Sequence, residues 1–183
     1  MDILIINGSP VNNGATAEIV RILAERLTGG QTVETVCLGE LDIGFCRGCR
    51  ACHTTAECDI QDDVGTLLAM MDRAEHLVFV VPSYWGDFPG QLKAFIDRCT
   101  PYSNTHEPHA RLKAGKKGYA IALRTGTNEA ECRHMVEGIT HYYGHMDIAM
   151  EHSFFLCGIQ NRDDIAARKA EILRRCDEWF KQI

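Results

Sequence analysis

Cys46, Cys49, Cys52 and Cys58 lie in the run CRGCRACHTTAEC, a C-x2-C-x2-C-x5-C spacing. Three thiols, each three residues from the next, can take three irons of a cuboidal iron-sulfur cluster, and a fourth after a longer step can reach the last. The same residue types also allow a zinc site, a redox dithiol, an empty loop or disulfides. Structural zinc sites usually draw on two separated pairs, whereas here one loop carries all four thiols. The chain opens MDILIINGSP, without a basic n-region or a long apolar stretch. A cytoplasmic location is therefore expected, where thiols stay reduced. Electron transfer through a cluster is the leading expectation, with free thiols and then zinc as the alternatives. Arg47, Arg50 and His53 are interleaved among the cysteines and would offset the anionic charge of a four-thiolate cluster, while Glu57 and Asp59 act against this.

The elements that must position this loop alternate regularly. Ile3 to Ile6 is a short β-branched run ending in Asn7-Gly8-Ser9-Pro10, a buried strand entering a turn. Ile19, Val20, Leu23 and Leu27 then recur at helical spacing, Gly29-Gly30 ends that helix, and a second strand is expected over Thr32 to Leu38. Asp62-Asp63 heads a helix with Val64, Leu67, Leu68 and Met71 on one face, followed by a continuous apolar strand from His76 to Val81. A helix aligning Leu92, Phe95, Ile96 and Cys99 leads through a long loop, Pro101 to Gly115, to a strand at Gly118 to Leu123. A helix near Glu129 to Tyr143, a strand within Asp147 to Leu156 and a helix from about Asp163 complete the chain. The pattern predicts one domain over residues 1–183, an α/β doubly wound five-stranded parallel sheet in order 2-1-3-4-5 with helices on both faces, and a cysteine-rich loop at 44–61.

Such sheets bind ligands beyond the carboxyl ends of their strands, which singles out three loops. Gly8 to Thr16 sets small and hydroxyl residues before a helix N-terminus, where amides and the helix dipole favour a phosphate. It has neither a lysine-bearing P-loop nor a G-x-G-x-x-G fingerprint, so a single terminal phosphate suits it better than a pyrophosphate. An ordinary turn capped by Ser9 or Thr16 is the competing reading. Pro82 to Gly90 is unusually aromatic, suiting a planar ring or an oligomer contact. Arg124 to Asn128 is again small and hydroxyl-rich, able to approach the same ring or to serve as a plain turn.

Together, Gly8-Ser9-Pro10 with Gly14 and Thr16, the cysteine loop leading into Asp62-Asp63, Pro82-Ser83-Tyr84-Trp85-Gly86, and the run Gly90 to Arg98 resemble the NADPH-dependent FMN reductase family of flavodoxin-like proteins, in particular its iron-sulfur flavoproteins. The resemblance implies FMN, its phosphate held at Ser9, Pro10, Asn13, Gly14, Ala15 and Thr16. It places the ring against Pro82, Ser83, Tyr84, Trp85 and Gly86, with Thr125 and Gly126. It further implies a 4Fe-4S cluster at Cys46, Cys49, Cys52 and Cys58, NAD(P)H as electron donor, and a homodimer or homotetramer. The expected function is an FMN-dependent oxidoreductase serving a quinone, flavin, metal or protein acceptor. The alternative is an electron carrier between partner proteins. Because the flavin would supply the chemistry, no catalytic acid or base is expected.

Composition is consistent with this and excludes little else. With 45% hydrophobic and 24% charged residues the chain is ordinary for a globular protein. A net charge of -6 and scattered basic residues argue against binding nucleic acid through phosphate neutralisation, and no stretch is long enough to cross a bilayer. His141 and His145 stand four apart near Asp147 as two helical ligands would, but the helix is expected to end near Gly144 and no third ligand is evident, so they read as solvated. His106 and His109 are placed to border the flavin or a dimer contact. Cys37, Cys99, Cys157 and Cys176 read as core, Lys93 and Asp97 as a surface pair, and Arg98 as a residue for a contact between subunits.

Overall fold

The computed structural model describes residues 2–181. Five strands, β1 (Ile3–Asn7), β2 (Val33–Cys37), β3 (His76–Pro82), β4 (Lys117–Leu123) and β5 (Ala149–Leu156), form one all-parallel sheet in the order β2-β1-β3-β4-β5. The helices are α1 (Ala15–Leu27), a single-turn α2 (Cys52–Thr55) inside the cysteine loop, α3 (Asp63–Arg73), α4 (Gly90–Arg98), α5 (Ala130–His145) and α6 (Asp164–Trp179). The expected topology is the observed one.

Alternation along the central strands splits the interior into two cores. Ile3, Ile5, Val78 and Val80 face α1 and α6, whose Ile19, Leu23, Ile165 and Ile172 are buried there. Leu4, Ile6, Leu77, Phe79 and Val81 face α3, α4 and α5, meeting Leu67, Met71, Leu92, Phe95 and Ile139. A strand buried on both faces must be apolar at every position, which explains the unbroken runs in β1 and β3. The edge strand β2 is half exposed and correspondingly polar, reading VETVC.

The last strand, Ala149–Leu156, lies within the span expected for it. Two expected boundaries shift. Pro82, expected to open the ring loop, is the last residue of β3, paired with Leu123. Helix α5 runs past Gly144 through His145, because Tyr142, Tyr143 and Met146 bury its last turn against the core and outweigh the glycine. Of the four cysteines read as core, Cys99 and Cys176 are buried and Cys37 and Cys157 half-buried.

Candidate functional site: three loops and a cysteine cavity at one sheet edge

The loops after β1, β3 and β4 are neighbours because their strands are in register: Asn7 pairs with Val80, Gly8 N–H donates to Val80 O at 2.9 Å, and Ser83 N–H donates to Leu123 O at 2.7 Å. Local bonds shape the first loop, and Cys37 and Glu40 tie it to β2 and the segment after it: Asn7 Nδ2 donates to Cys37 Sγ at 3.4 Å and Asn12 Nδ2 to Glu40 Oε1 at 2.7 Å. Buried Asn7 accepts the Ser9 amide at 3.0 Å and donates to Val11 O at 3.3 Å, and Ser9 Oγ accepts the Val11 amide at 3.0 Å. Neither Ser9 nor Thr16 caps α1; the cap is Gly14, which offers no side-chain hydrogen bond to the first turn. The helix-start amides therefore keep their donors for a ligand, and the Ser9 hydroxyl, engaged only as an acceptor, can still donate its proton. A phosphate fits the residues present. Gly39 is obligatory beside this loop, since a Cβ there would stand 2.2 Å from Pro10 O.

The aromatic loop turns tightly at Tyr84-Trp85-Gly86-Asp87, with Tyr84 N–H to Asp87 O at 2.9 Å and Asp87 N–H to Tyr84 O at 3.1 Å. Trp85 (φ 56°) and Gly86 (φ 79°) are both left-handed, the backbone of a mirror-image hairpin turn, and Trp85 projects fully into solvent. Holding a tryptophan there costs roughly 1–2 kcal/mol, a strain that tends to mark functional segments. Glu131 at the start of α5 joins the two ring loops: Ser83 Oγ donates to its Oε2 at 2.8 Å, and Arg124 pairs with its Oε1 at 3.0 Å. Arg124 folds over Gly126, where an added Cβ would meet its guanidinium at 2.5 Å. Gly126 O accepts the Gly158 amide and Thr125 O accepts Gln160 Nε2, tying this loop to the one after β5. Sequence reasoning missed Glu131, whose only signal is an acidic residue in a first helical turn.

The cysteine loop is held from elsewhere in the chain. Cys46, Cys49, Cys52 and Cys58 all line one cavity of about 330 Å³, with Arg47, Arg50, His53, Arg98 and Pro101. All four are free thiols. Burial pushes the Cys52 thiol up, and Cys58, Cys46 and Cys49 add to that shift, so metal binding there must displace a firmly held proton. Among the described residues no three His, Cys, Asp or Glu side chains are close enough to hold a single metal ion. Thiols arranged around a cavity suit a cluster, in which each binds a different iron, better than one tetrahedral zinc.

Arg98 organises this loop, and it does so within its own subunit. The expectation of an intersubunit Arg98 is corrected: the residue is buried, its guanidinium spent on the cysteine loop. Its Nη1 donates to Gly44 O at 2.9 Å and Asp62 Oδ2 at 2.6 Å, its Nη2 to Ile60 O at 2.9 Å and Asp62 Oδ1 at 3.1 Å, and its Nε to Cys58 Sγ at 3.2 Å. Asp62 also accepts the Gly44 amide and caps α3 through the Val64 amide. Burial pushes the Asp62 carboxyl up, but Arg98 and these two amides outweigh it and hold it below the usual carboxylate range. Within the loop the backbone is left-handed at Gly48, Arg50 and Ala56.

His106 and His109, expected to border the flavin or a dimer contact, lie beside the cysteine loop. His106 stacks on His53 at 4.3 Å between ring centroids, and His109 Nδ1 lies 2.8 Å from His106 O. Lys93 and Asp97 form the expected surface pair at 2.5 Å. The large apolar side chains recorded as exposed are Val11, Phe45, Tyr84 and Trp85, all in loops that follow β1, β2 and β3.

Comparison with known proteins agrees with the fold. An iron-sulfur flavoprotein of Archaeoglobus fulgidus is 31% identical over 127 residues, covering 69% of this chain and 56% of that protein, so the chain spans little more than half its length. An NAD(P)H-dependent FMN-containing oxidoreductase of Bacillus subtilis is 25% identical over the whole chain and 98% of its own length. The structure of an NAD(P)H:quinone oxidoreductase from Methanothermobacter marburgensis superposes with a TM-score of 0.73 at 20% identity, covering 97% of this chain and 94% of that one, a likeness of fold. No helix among the described residues is long and apolar enough to cross a membrane. Residues 1–153 match the NADPH-dependent FMN reductase family, and the chain belongs to it.

Proposed function

We infer that this protein is an FMN-dependent oxidoreductase that takes electrons from NAD(P)H and delivers them, by way of a 4Fe-4S cluster, to a quinone, flavin, metal or protein acceptor. The observation that carries this reading is the convergence of four free thiols on one cavity in a chain of a flavin-binding family. FMN supplies hydride acceptance and release of electrons singly or in pairs, and a cluster supplies one-electron transfer.

The chain's own residues bind and orient. Ser9, Asn13, Gly14, Ala15 and Thr16 would hold the phosphate with backbone amides and hydroxyls, and Pro10, which has no N–H, would shape the turn. Pro82, Ser83, Tyr84, Trp85 and Gly86 would hold the ring, with Thr125 and Gly126 beside them. Glu131 keeps Ser83 and Arg124 in place so that the two ring loops act as one wall. Cys46, Cys49, Cys52 and Cys58 are the cluster ligands, with Arg98 Nε donating to Cys58 Sγ to lower the cost of its negative charge. The exposed Val11, Phe45, Tyr84 and Trp85 suit a second copy laid over this edge, so a homodimer is the working assembly.

The test is anaerobic purification with iron, sulfide and FMN quantified per chain, followed by NADH and NADPH oxidation with a quinone or ferricyanide as acceptor. FMN and iron bound together, with rapid turnover, support the reading. Cys49→Ala should remove the iron and leave the flavin spectrum. Iron-free protein from anaerobic preparation refutes the cluster, and reduction by a protein donor alone, with no nicotinamide oxidation, makes the chain an electron carrier.

A further inference from the structure

A groove of about 430 Å³ runs between α4 and α5, lined by Lys93 and Asp97 from one helix and by His134, His141 and His145 from the other. The proposed flavin chemistry uses none of these histidines. Because α5 continues through His145, His141 and His145 occupy one face, a turn apart. Their Nε2 atoms stand 2.9 Å apart with the ring planes at 90°. His141 is exposed and His145 half-buried, so the pair is open to solvent.

Two neutral imidazoles at this separation share one proton, the Nε2–H of one donating to the Nε2 lone pair of the other. A cation that displaces this hydrogen bond would find two imidazole nitrogens a small ring rotation from cis coordination. The 2.9 Å spacing is that of the hydrogen bond itself, and opening it by up to ~0.5 Å spans the bite of a metal with bonds of ~2.0–2.1 Å. Affinity for nitrogen donors rises along the first-row dications through Ni2+ to Cu2+, so these are the cations that such a two-nitrogen site holds best. The negative end of the α5 dipole lies at the same place and adds attraction for a cation.

The geometry points to a bidentate site at His141 and His145 for a divalent cation of the Ni2+ or Cu2+ class, completed by water or a small ligand in the groove. Among the described residues no third metal-binding side chain converges on the pair, so the cation is exchangeable. Binding moves the donating ring to its Nδ1–H tautomer: its Nε2–H bond breaks, an Nδ1–H bond forms by proton exchange with water, and no electron is transferred.

Ni2+ is the probe, added to the cofactor-loaded protein. Cysteine thiols also bind Ni2+, so the readout is residue-specific: imidazole nitrogen resonances followed by NMR, with Zn2+ titrated in parallel. The signals of His141 and His145 should respond before those of His134 and His152. His141→Ala should weaken the response of His145 about ten-fold or more, while His134→Ala binds as the parent does. Both rings lie outside the core, so circular dichroism should confirm that each variant is folded. Unaffected His141 and His145 signals, or a His141→Ala protein whose His145 binds as tightly, overturn the site. Zn2+ binding at least as tight as Ni2+ overturns the assignment to the Ni2+ or Cu2+ class.

Discussion

The phosphate loop and the cysteine loop sit at the same edge of the sheet and are held by different means. The first is shaped by bonds between residues two to four apart, joined by hydrogen bonds of Asn7 and Ser9 to Cys37 and of Asn12 to Glu40. The second is clamped by one guanidinium that reaches Cys58, Ile60, Asp62 and Gly44 from 36 to 54 residues away. A loop held by several dispersed hydrogen bonds loses one modest contribution when any of them is cut. A loop organised by a buried ion pair inherits that pair's vulnerability, because removing one partner leaves the other charged, desolvated and alone.

The largest effect is therefore expected at Arg98. Arg98→Ala leaves the Asp62 carboxylate buried without its partner and should cost about 3–5 kcal/mol of stability, measured by urea unfolding. It should also strip iron from the cysteine loop while FMN binding persists in the folded fraction. Equal loss of FMN and iron would show that the two loops are one unit and would erase the contrast. Ser9→Ala is the matching cut in the phosphate loop. It removes an acceptor for the Val11 amide and a donor for the phosphate, and should weaken FMN binding by about 1.5–3 kcal/mol, read by flavin fluorescence titration, with iron content unchanged. The smallest effect belongs to Lys93→Ala, which breaks a solvent-exposed pair on the same helix as Arg98. Its cost should be about 0.3–0.5 kcal/mol; a loss as large as that of Arg98→Ala would mean that α4 itself, rather than the buried ion pair, secures the loop.

The same contrast separates what was legible in the sequence from what was not. Asp62 as the cap of α3, the glycine-bounded α1 and the alternating interior of β1 and β3 follow from neighbours within a few positions, where propensity and periodicity act. Arg98 carried a local signal too: it follows Ala94 and Phe95 by four and three positions, on the buried face of α4. A charge on that face must find partners, but its spacing could not say that they lie within the cysteine loop and not on another subunit. An expected helix end near Gly144 and the lack of a third ligand make His141 and His145 read as solvated; burial of Tyr142, Tyr143 and Met146 carries α5 through His145 and aligns the rings.

The sequence by itself determined the order and type of the elements, the sheet's topology and the chemistry available at its edge: four thiols, a phosphate-sized loop and an aromatic turn. Those follow from hydrophobic periodicity and from the conformational limits of glycine, proline and small polar residues, which act over a turn or a strand. Tertiary structure alone decided that the four thiols share one cavity, that Arg98 clamps Cys58 and Asp62, and that Glu131 joins the two ring loops. Those contacts depend on desolvated charges finding their complements across the fold, and such a pairing exists only once the sheet has brought distant segments within hydrogen-bonding reach.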